Sequence, residues 1–317
     1  MANFATLLRR VGLIKETTRG TAETTPTTWV SVYPASEMKY GLQLLPDMAL
    51  RGVLSKYPSR PGQISVVGKI LFPLRASEVG EFLHMFIGDA TSVQQVETTA
   101  YLHTWTPATT LQPDSYTITF DHNMEVKKYN GCNVSSIKLT RTTDNFIMFE
   151  AGIIGRTEAA GSIGSPTYVE SSALTFQHDV FKIAGTTYTQ IKQWEIEMDN
   201  GLFPMRATSG SQLIVDTFVT EHSIKGSFTT YFENATERDK FVAGTSATIQ
   251  VTITGAVIGG ASSYYVDIFV DVAEYEAFPY ESEDGLLAAK VVWRGTYDTT
   301  DSRIYRFQAQ NITASYT

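Results

Sequence analysis

The chain has 317 residues, a net charge of -8 and a hydrophobic fraction of 43%. Its length allows two domains of about 150 residues or one large all-β unit, and that hydrophobic fraction excludes an intrinsically disordered chain. Charged residues make up 18% of the chain and threonine is abundant, a composition that favours strands with weakly charged faces over helices.

The single cysteine and the charge pattern limit the compartment and the binding partners. Cys132 is alone, which excludes an intrachain disulfide and a CxxC metal motif and fits a reducing compartment best. No apolar run is long enough for a transmembrane helix or a signal peptide, so we expect a soluble protein without a membrane partner. A pI of about 5.2 without a basic cluster argues against gripping nucleic-acid phosphates, but not against a surface past which DNA slides.

In chain order, the sequence predicts an N-terminal arm over residues 1–28 and a long loop over residues 44–63. The loop carries three prolines and no clear periodicity, and long loops in compact domains tend to be functional. Apolar residues on one helical face predict a short helix over residues 76–87 and another over 234–243. Much of the remaining chain alternates between apolar and polar residues, as in 194–198, which predicts strands.

The two halves of the sequence resemble each other. Four blocks recur in the same order at offsets of 154 to 160 residues: Glu37-Met38 with Glu197-Met198, Gly68 with Gly226, Gly131 with Gly285, and Phe149 with Phe307. Such a repeat predicts a duplicated domain. We expect a first domain over residues 1–158, including the arm and the loop, a flexible linker over 159–166, and a second domain over 167–317.

The sequence contains none of the common catalytic motifs that we searched for. A phosphate-binding GxxxxGK[ST] loop, a GxSxG nucleophile turn, an HExxH zinc motif and an EF-hand loop are all absent. The five histidines stand far apart, without the spacing of metal ligands. We therefore predict no enzyme activity, no cofactor and no metal, and an enzyme of unknown type is the most distant alternative.

The order of the predicted elements carries a resemblance to a known family. Residues 129–139, Tyr-Asn-Gly-Cys-Asn-Val-Ser-Ser-Ile-Lys-Leu, follow a predicted strand over 116–120 and the strand and helix over 68–88. The second half repeats strand, helix and two strands over residues 226–270. This order resembles the tail tube proteins of long-tailed, siphovirus-type bacteriophages, in the two-domain form that makes trimers.

The resemblance implies a mainly β fold of two tandem tail-tube-like β-sandwich or barrel domains, each with one short helix. It implies that three chains form a pseudo-hexameric ring and that the rings stack into the tail tube, the conduit for genome delivery. The implied partners are further copies of the chain, the tape-measure protein, the tail terminator and distal tail or baseplate proteins, with DNA passing without specific binding. The implied location is the virion, after assembly in the host cytoplasm, in a noncontractile tail.

Two sets of candidate residues follow from this interpretation. Glu37, Glu195 and Glu197 lie on predicted wet strand faces and are candidates for an acidic lumen lining, which would repel DNA phosphates; ordinary solubility is the alternative explanation of the negative charge. The candidate contacts between stacked rings are loop residues: Pro46, Arg51, Lys56, Arg60 and Pro61. A loop without such a role is the alternative there.

Two other functions stay open at this point. A carbohydrate-binding or adhesive β-sandwich would use tryptophans to stack on sugar rings, and the chain has four: Trp29, Trp105, Trp194 and Trp293. Another ring-forming tail or baseplate component, or a secretion-system tube protein, would share the fold, which by itself does not separate these functions.

Overall fold

The computed structural model describes residues 8–49, 51–52, 55–96, 98–107, 112–123, 125–169, 171–206 and 210–316. The first seven residues of the predicted N-terminal arm, and three positions of the predicted loop over 44–63, lie outside the described residues. The fold is mainly β, as the sequence predicts, with two short α-helices among the described residues.

The bounds of the elements are as follows. The first half contains β1 Arg10–Lys15, β2 Thr28–Val30, β3 Glu37–Leu45, β4 Arg60–Pro73, α1 Val79–Phe86, β5 Thr91–Gln94, β6 Tyr101–Trp105, β7 Tyr116–Asp121, β8 Val126–Arg141, β9 Met148–Gly155 and β10 Thr157–Ala160. The second half contains β11 Asp179–Ile183, β12 Thr186–Thr187, β13 Ile191–Asp199, β14 Phe203–Arg206, β15 Ile214–Phe218, β16 Ser223–Tyr231, α2 Thr236–Ala243, β17 Ala247–Gly259, β18 Ser262–Ala277, β19 Tyr280–Glu283, β20 Leu286–Thr296 and β21 Arg306–Asn311.

Long strands that belong to two sheets organise both halves. In the first half, β8 pairs along its beginning with β7 and β10, and along its end with β9, which continues to β4 and β3. In the second half, β18 pairs along its beginning with β17 and β21, and along its end with β20, which continues to β16 and β13. Apolar side chains fill the space between the sheets, among them the clustered rings of Phe72, Phe82 and Phe149.

The strand order of the first half recurs in the second half, down to the irregular positions. The register between β8 and β9 shifts at Ser135, and the register between β18 and β20 shifts at Glu276, 141 residues later. Gly68 and Gly226, 158 residues apart, fill the same role: a Cβ on either would lie 2.4 or 2.6 Å from the carbonyl oxygen of the neighbouring strand. This likeness supports the predicted duplication. The division into domains at 158 and 166 stays a prediction, and β10 extends two residues into the predicted linker.

The structure changes the alignment of the two halves. Gly68 is opposite Met38, and Gly226 is opposite Ile196, so Glu37 corresponds to Glu195 rather than to Glu197. Both alignments place a glutamate beside an apolar residue, and only the pairing with the next strand distinguishes them.

The two halves share one continuous sheet. The end of β8 pairs with β13, with Leu139 opposite Ile196 and Ile137 opposite Met198. These four side chains are fully buried. The result is a sheet whose described strands follow the order β3, β4, β9, β8, β13, β16, β20 and then β18 with its continuation β19.

A buried carboxyl group makes the stability of the fold depend on pH. Glu78, just before α1, is buried, and its carboxylate accepts a hydrogen bond from the Ser31 backbone at 3.3 Å. Burial raises its pKa to about 7, so the folded chain favours the protonated form. This contribution to stability is complete below the ordinary pKa of 4.5 and is lost as the pH rises through 7.

Glu78→Gln is therefore expected to stabilise the chain at pH 8, by up to about 3 kcal/mol, and to leave its stability nearly unchanged at pH 4.5. Denaturant unfolding of both proteins at the two pH values measures the difference. An equal effect of the substitution at both pH values would contradict the pH-dependent role of this carboxyl group.

Candidate assembly interface

The continuous sheet has one apolar face and one charged face. Along β13, Ile196 and Met198 point into the core, whereas Glu195 and Glu197 alternate with them and are partly exposed. Glu37 takes the corresponding position on β3. The structure therefore brings the three predicted glutamates to one face of one sheet. Glu37 lies on the strand at one end of the sheet, and the other two lie on a strand near the middle of the sheet.

Lysines accompany these glutamates on the charged face. The Lys138 amine lies 2.8 Å from Glu195, the Lys225 amine 3.2 Å from Glu197, and the Lys39 amine 2.6 Å from Glu37. The hydrogen bond to Glu195 raises the pKa of Lys138 above its ordinary value. The face is thus a ladder of ion pairs rather than a purely acidic lining. Sequence reasoning missed the lysines, although Lys138 stands at an alternate position of a long strand.

Beyond the buried Met38, strand β3 carries two exposed apolar side chains, Tyr40 and Leu42. Met38, Tyr40 and Leu42 continue the core face of the sheet. Tyr40 is 43% exposed, whereas Met198, its counterpart on β13, is fully buried against β8. In the described part of the chain, β3 pairs only with β4. This terminal strand therefore has an open, partly apolar edge.

At the opposite end of the sheet, β19 pairs only with β20 among the described strands. Phe278 and Tyr280 take the positions that Ile137 and Leu139 occupy in the first half, and Tyr280 is 48% exposed. The Pro279 carbonyl accepts a hydrogen bond from the Lys290 amide at 3.0 Å, so Pro279 directs its backbone polar group inward, toward β20. The N–H that this proline lacks would also have pointed toward β20. The outer edge of β19 therefore loses no donor and can pair with another strand.

The predicted inter-ring residues lie on the connection between β3 and β4. The Arg51 guanidinium stacks on the Tyr57 ring at 4.3 Å and bonds to Asp47 at 2.8 Å. Pro46 and Lys56 are exposed on the same connection, and Arg60 and Pro61 begin β4. The contacts of these residues with another ring stay a prediction.

A hairpin that sequence reasoning missed joins the two halves at one end of the sheet. Strands β14 and β15 connect β13 to β16 and pack on the first half. The Arg206 guanidinium donates to the Ile64 carbonyl at 2.9 Å, and the Ile64 amide donates to the Gln212 carbonyl at 2.9 Å. Thr217 donates to the buried Asn133 side chain at 2.9 Å, and both accept hydrogen bonds from Arg19.

The four tryptophans are packed inside the protein. Trp105, Trp194 and Trp293 are fully buried, and Trp29 nearly so. The Trp194 indole donates to Asp179 at 2.7 Å. An aromatic platform for sugar rings must be exposed, so this arrangement does not favour the carbohydrate-binding alternative.

The acidic clusters are occupied by basic side chains of the chain itself. His84, Asp89 and Asp114 lie together, with the Lys15 amine 2.8 Å from Asp114. A second group, around Asp271, holds the Arg303 guanidinium at 2.8 Å. In each cluster, an ion pair within the chain therefore compensates the carboxylate charge. Neither α-helix among the described residues has the length and apolar character to cross a membrane.

Comparison with known families identifies the family to which the chain belongs. No curated protein matches the chain. The family described as phage tail tube protein matches residues 6–295, nearly the whole chain and both of its halves. The chain therefore belongs to the phage tail tube protein family.

Proposed function

We propose that this chain polymerises as rings of three copies, which stack into the phage tail tube and form the conduit for the genome. The observation that carries the proposal is the pair of open edges at the two ends of the continuous sheet. The contact between β8 and β13 already joins the first half to the second half within one chain. The same contact, made between copies, would join β3 of one copy to β19 of the next.

The repeat indicates which residues would meet across the boundary between two copies. Within the chain, Glu195 is opposite Thr140 and Ile196 is opposite Leu139. The repeat offsets of 158 and 141 residues carry these positions to the open edges. The pairs across the boundary would be Glu37 with Glu281, Met38 with Tyr280, Lys39 with Pro279, and Tyr40 with Phe278.

The chemistry of these pairs suits an interface. Tyr40 and Phe278 would bury two aromatic rings against each other, where the internal contact buries Met198 against Ile137. Glu37 and Glu281 would face each other, and the Lys39 amine, already paired with Glu37, would lie diagonal to Glu281 and offset their repulsion.

The two edges differ, so the contact is head to tail and must close into a ring or grow without limit. Eight sheet positions from each of three copies would close a barrel of 24 strands. At about 4.8 Å between strands and a tilt of up to about 45°, such a barrel measures roughly 40–50 Å between opposite backbones. That width leaves room for a DNA duplex.

The charged face of the sheet would line the tube in this arrangement. Its ion pairs present no cluster of free lysines or arginines to phosphates, so DNA would pass without being held. Membership of the family supports a structural, non-enzymatic role in the virion. We further propose assembly in the host cytoplasm, with the tape-measure protein inside the tube and the tail terminator and distal tail or baseplate proteins at its ends.

Disulfide crosslinking tests the proposed pairing. Glu37 and Glu281 would form a pair without direct hydrogen bonds, in which Cα atoms are about 4.5 Å apart, within the range of a disulfide. The variant Glu37→Cys/Glu281→Cys is expected to form covalent trimers on mild oxidation of the assembled protein. Native Cys132 stays in place, since it is buried and burial raises its thiol pKa well above the ordinary value.

Two further variants serve as controls for the crosslink. Thr140→Cys/Glu195→Cys reproduces the same geometry inside one chain and should oxidise without forming oligomers. Glu37→Cys/Glu283→Cys moves the partner to a diagonal position about 7–8 Å away and should crosslink poorly. Equal crosslinking of the direct and diagonal pairs, with the internal control oxidised, would contradict the proposed register.

A further inference from the structure

Among the described residues, no hairpin packs on the second half in the way that β14 and β15 pack on the first half. It leaves the sheet after Asp199 and packs on the first half around Ile64, Asn133 and Arg156. The corresponding segment of the first half is the connection between β3 and β4. The hairpin is therefore an example, within one chain, of the connection after a terminal sheet strand of one half packing on the neighbouring half.

A groove lies at the corresponding place on the second half. Ile64 and Arg156 correspond to His222 and Thr296, and both of these line a cavity of about 630 Å³. Ile304, Tyr297 and Pro107 give the groove apolar surface, and Tyr297 is 60% exposed.

We propose that this groove binds the apolar end of β3 and the residues after it, 42–48, from the neighbouring copy in the ring. The inference rests on the proposed ring and adds a second contact to it, distinct from the strand pairing. The occupant is a copy of this chain because the same packing already exists between its own two halves.

The strand register brings the two surfaces together. If Gly41 is opposite Ala277, as Asp199 is opposite Ser136 in the internal contact, then Leu42 follows beside Glu276. Glu276 lines the groove. In this register β3 of one copy would lead to the cavity of the next.

The chemistry of the proposed occupant fits the groove. The segment carries exposed apolar side chains in close succession: Leu42, Leu44, Leu45 and Met48. Met48 is the most exposed of the four, at 74%. A run of exposed apolar side chains is uncommon on the surface of a free monomer and indicates a binding surface. Packing them against Tyr297 and Ile304 would remove apolar area of both copies from water.

Photo-crosslinking in assembled rings tests the inference. The photoreactive residue p-benzoylphenylalanine replaces Met48, and rings are assembled from an equal mixture of isotopically heavy and light chains. Mass spectrometry of the irradiated rings is expected to find crosslinks between heavy and light chains, from position 48 to residues 294–304. Rings that crosslink instead within one chain, or to another surface, would overturn the inference and leave the proposed ring standing. Absence of rings from the unsubstituted chain would overturn both.

A matched pair of substitutions gives an independent readout. Tyr297→Glu places a charge in the groove and is expected to raise the protein concentration needed for assembly by about tenfold or more. Val257→Glu, a similarly exposed apolar position near the tip of the β17–β18 hairpin, should not change it. Equal effects of the two substitutions would overturn the role of the groove.

Discussion

Tyr40→Lys is expected to abolish ring formation and to leave the isolated chain folded. The side chain is 43% exposed in the single chain, so a lysine there costs little before assembly. Across the proposed interface it would face Phe278 with no carboxylate opposite, and an unpaired buried charge costs several kcal/mol. A loss of about 3 kcal/mol per contact raises the dissociation constant more than 100-fold.

Particle mass in solution measures ring formation, and thermal unfolding measures the stability of the isolated chain. The expected result is a monomer whose melting temperature is close to that of the wild type. Val257→Lys is the control, because it adds the same charge at an exposed apolar position of the β17–β18 hairpin, opposite Ser263 and therefore at the far end of β18 from β19. Normal rings from the Tyr40 variant would contradict the proposed contact.

Glu195→Lys/Glu197→Lys is expected to convert the tube lining into a DNA-binding surface. Lys138 and Lys225, which lie 2.8 and 3.2 Å from these carboxylates, would lose their partners and join two new lysines on the same face. Three copies repeat this cluster around each ring. Lysines that neutralise phosphates release counterions, so we expect DNA to be retained at low salt and released steeply as salt increases.

Retention of short DNA duplexes by purified tubes, measured across a salt series, tests the prediction. The matched control is Lys138→Glu/Glu195→Lys, which exchanges the two charges and keeps the ion pair. It should behave as the wild type does. If the doubly reversed tubes retain no more DNA than the exchanged control, the charged face does not line the lumen.

Much of the secondary structure follows from the sequence because the periodicity is local. Alternation along residues 194–198 predicts β13, and the apolar spacing around Phe82 and Leu83 predicts α1, although the helix begins at Val79 rather than at residue 76. The repeat is also visible in the sequence. Its alignment was wrong by two residues at β3, because a period-two pattern fits equally well after a shift of two.

The assembly interface depends on contacts between strands that are distant in the sequence. The lysine partners of Glu195 and Glu197 come from β8 and β16, and no spacing along β13 indicates them. For the same reason, the sequence alone did not indicate the pairing of β8 with β13 or the docking of the β14–β15 hairpin. Once the pairing is known, exposed Tyr40 and Tyr280 identify the two open edges, because their internal counterparts are buried.

Electron microscopy of the concentrated protein, with particle mass measured in parallel, tests whether three chains close into a ring and whether the rings stack into a tube. The expected result is hollow tubes built of stacked rings, each ring containing three chains and lined by a continuous barrel in which Tyr40 of one copy lies against Phe278 of the next. Rings with a different number of chains, or tubes in which the outer edges of β3 and β19 lie apart, would contradict it.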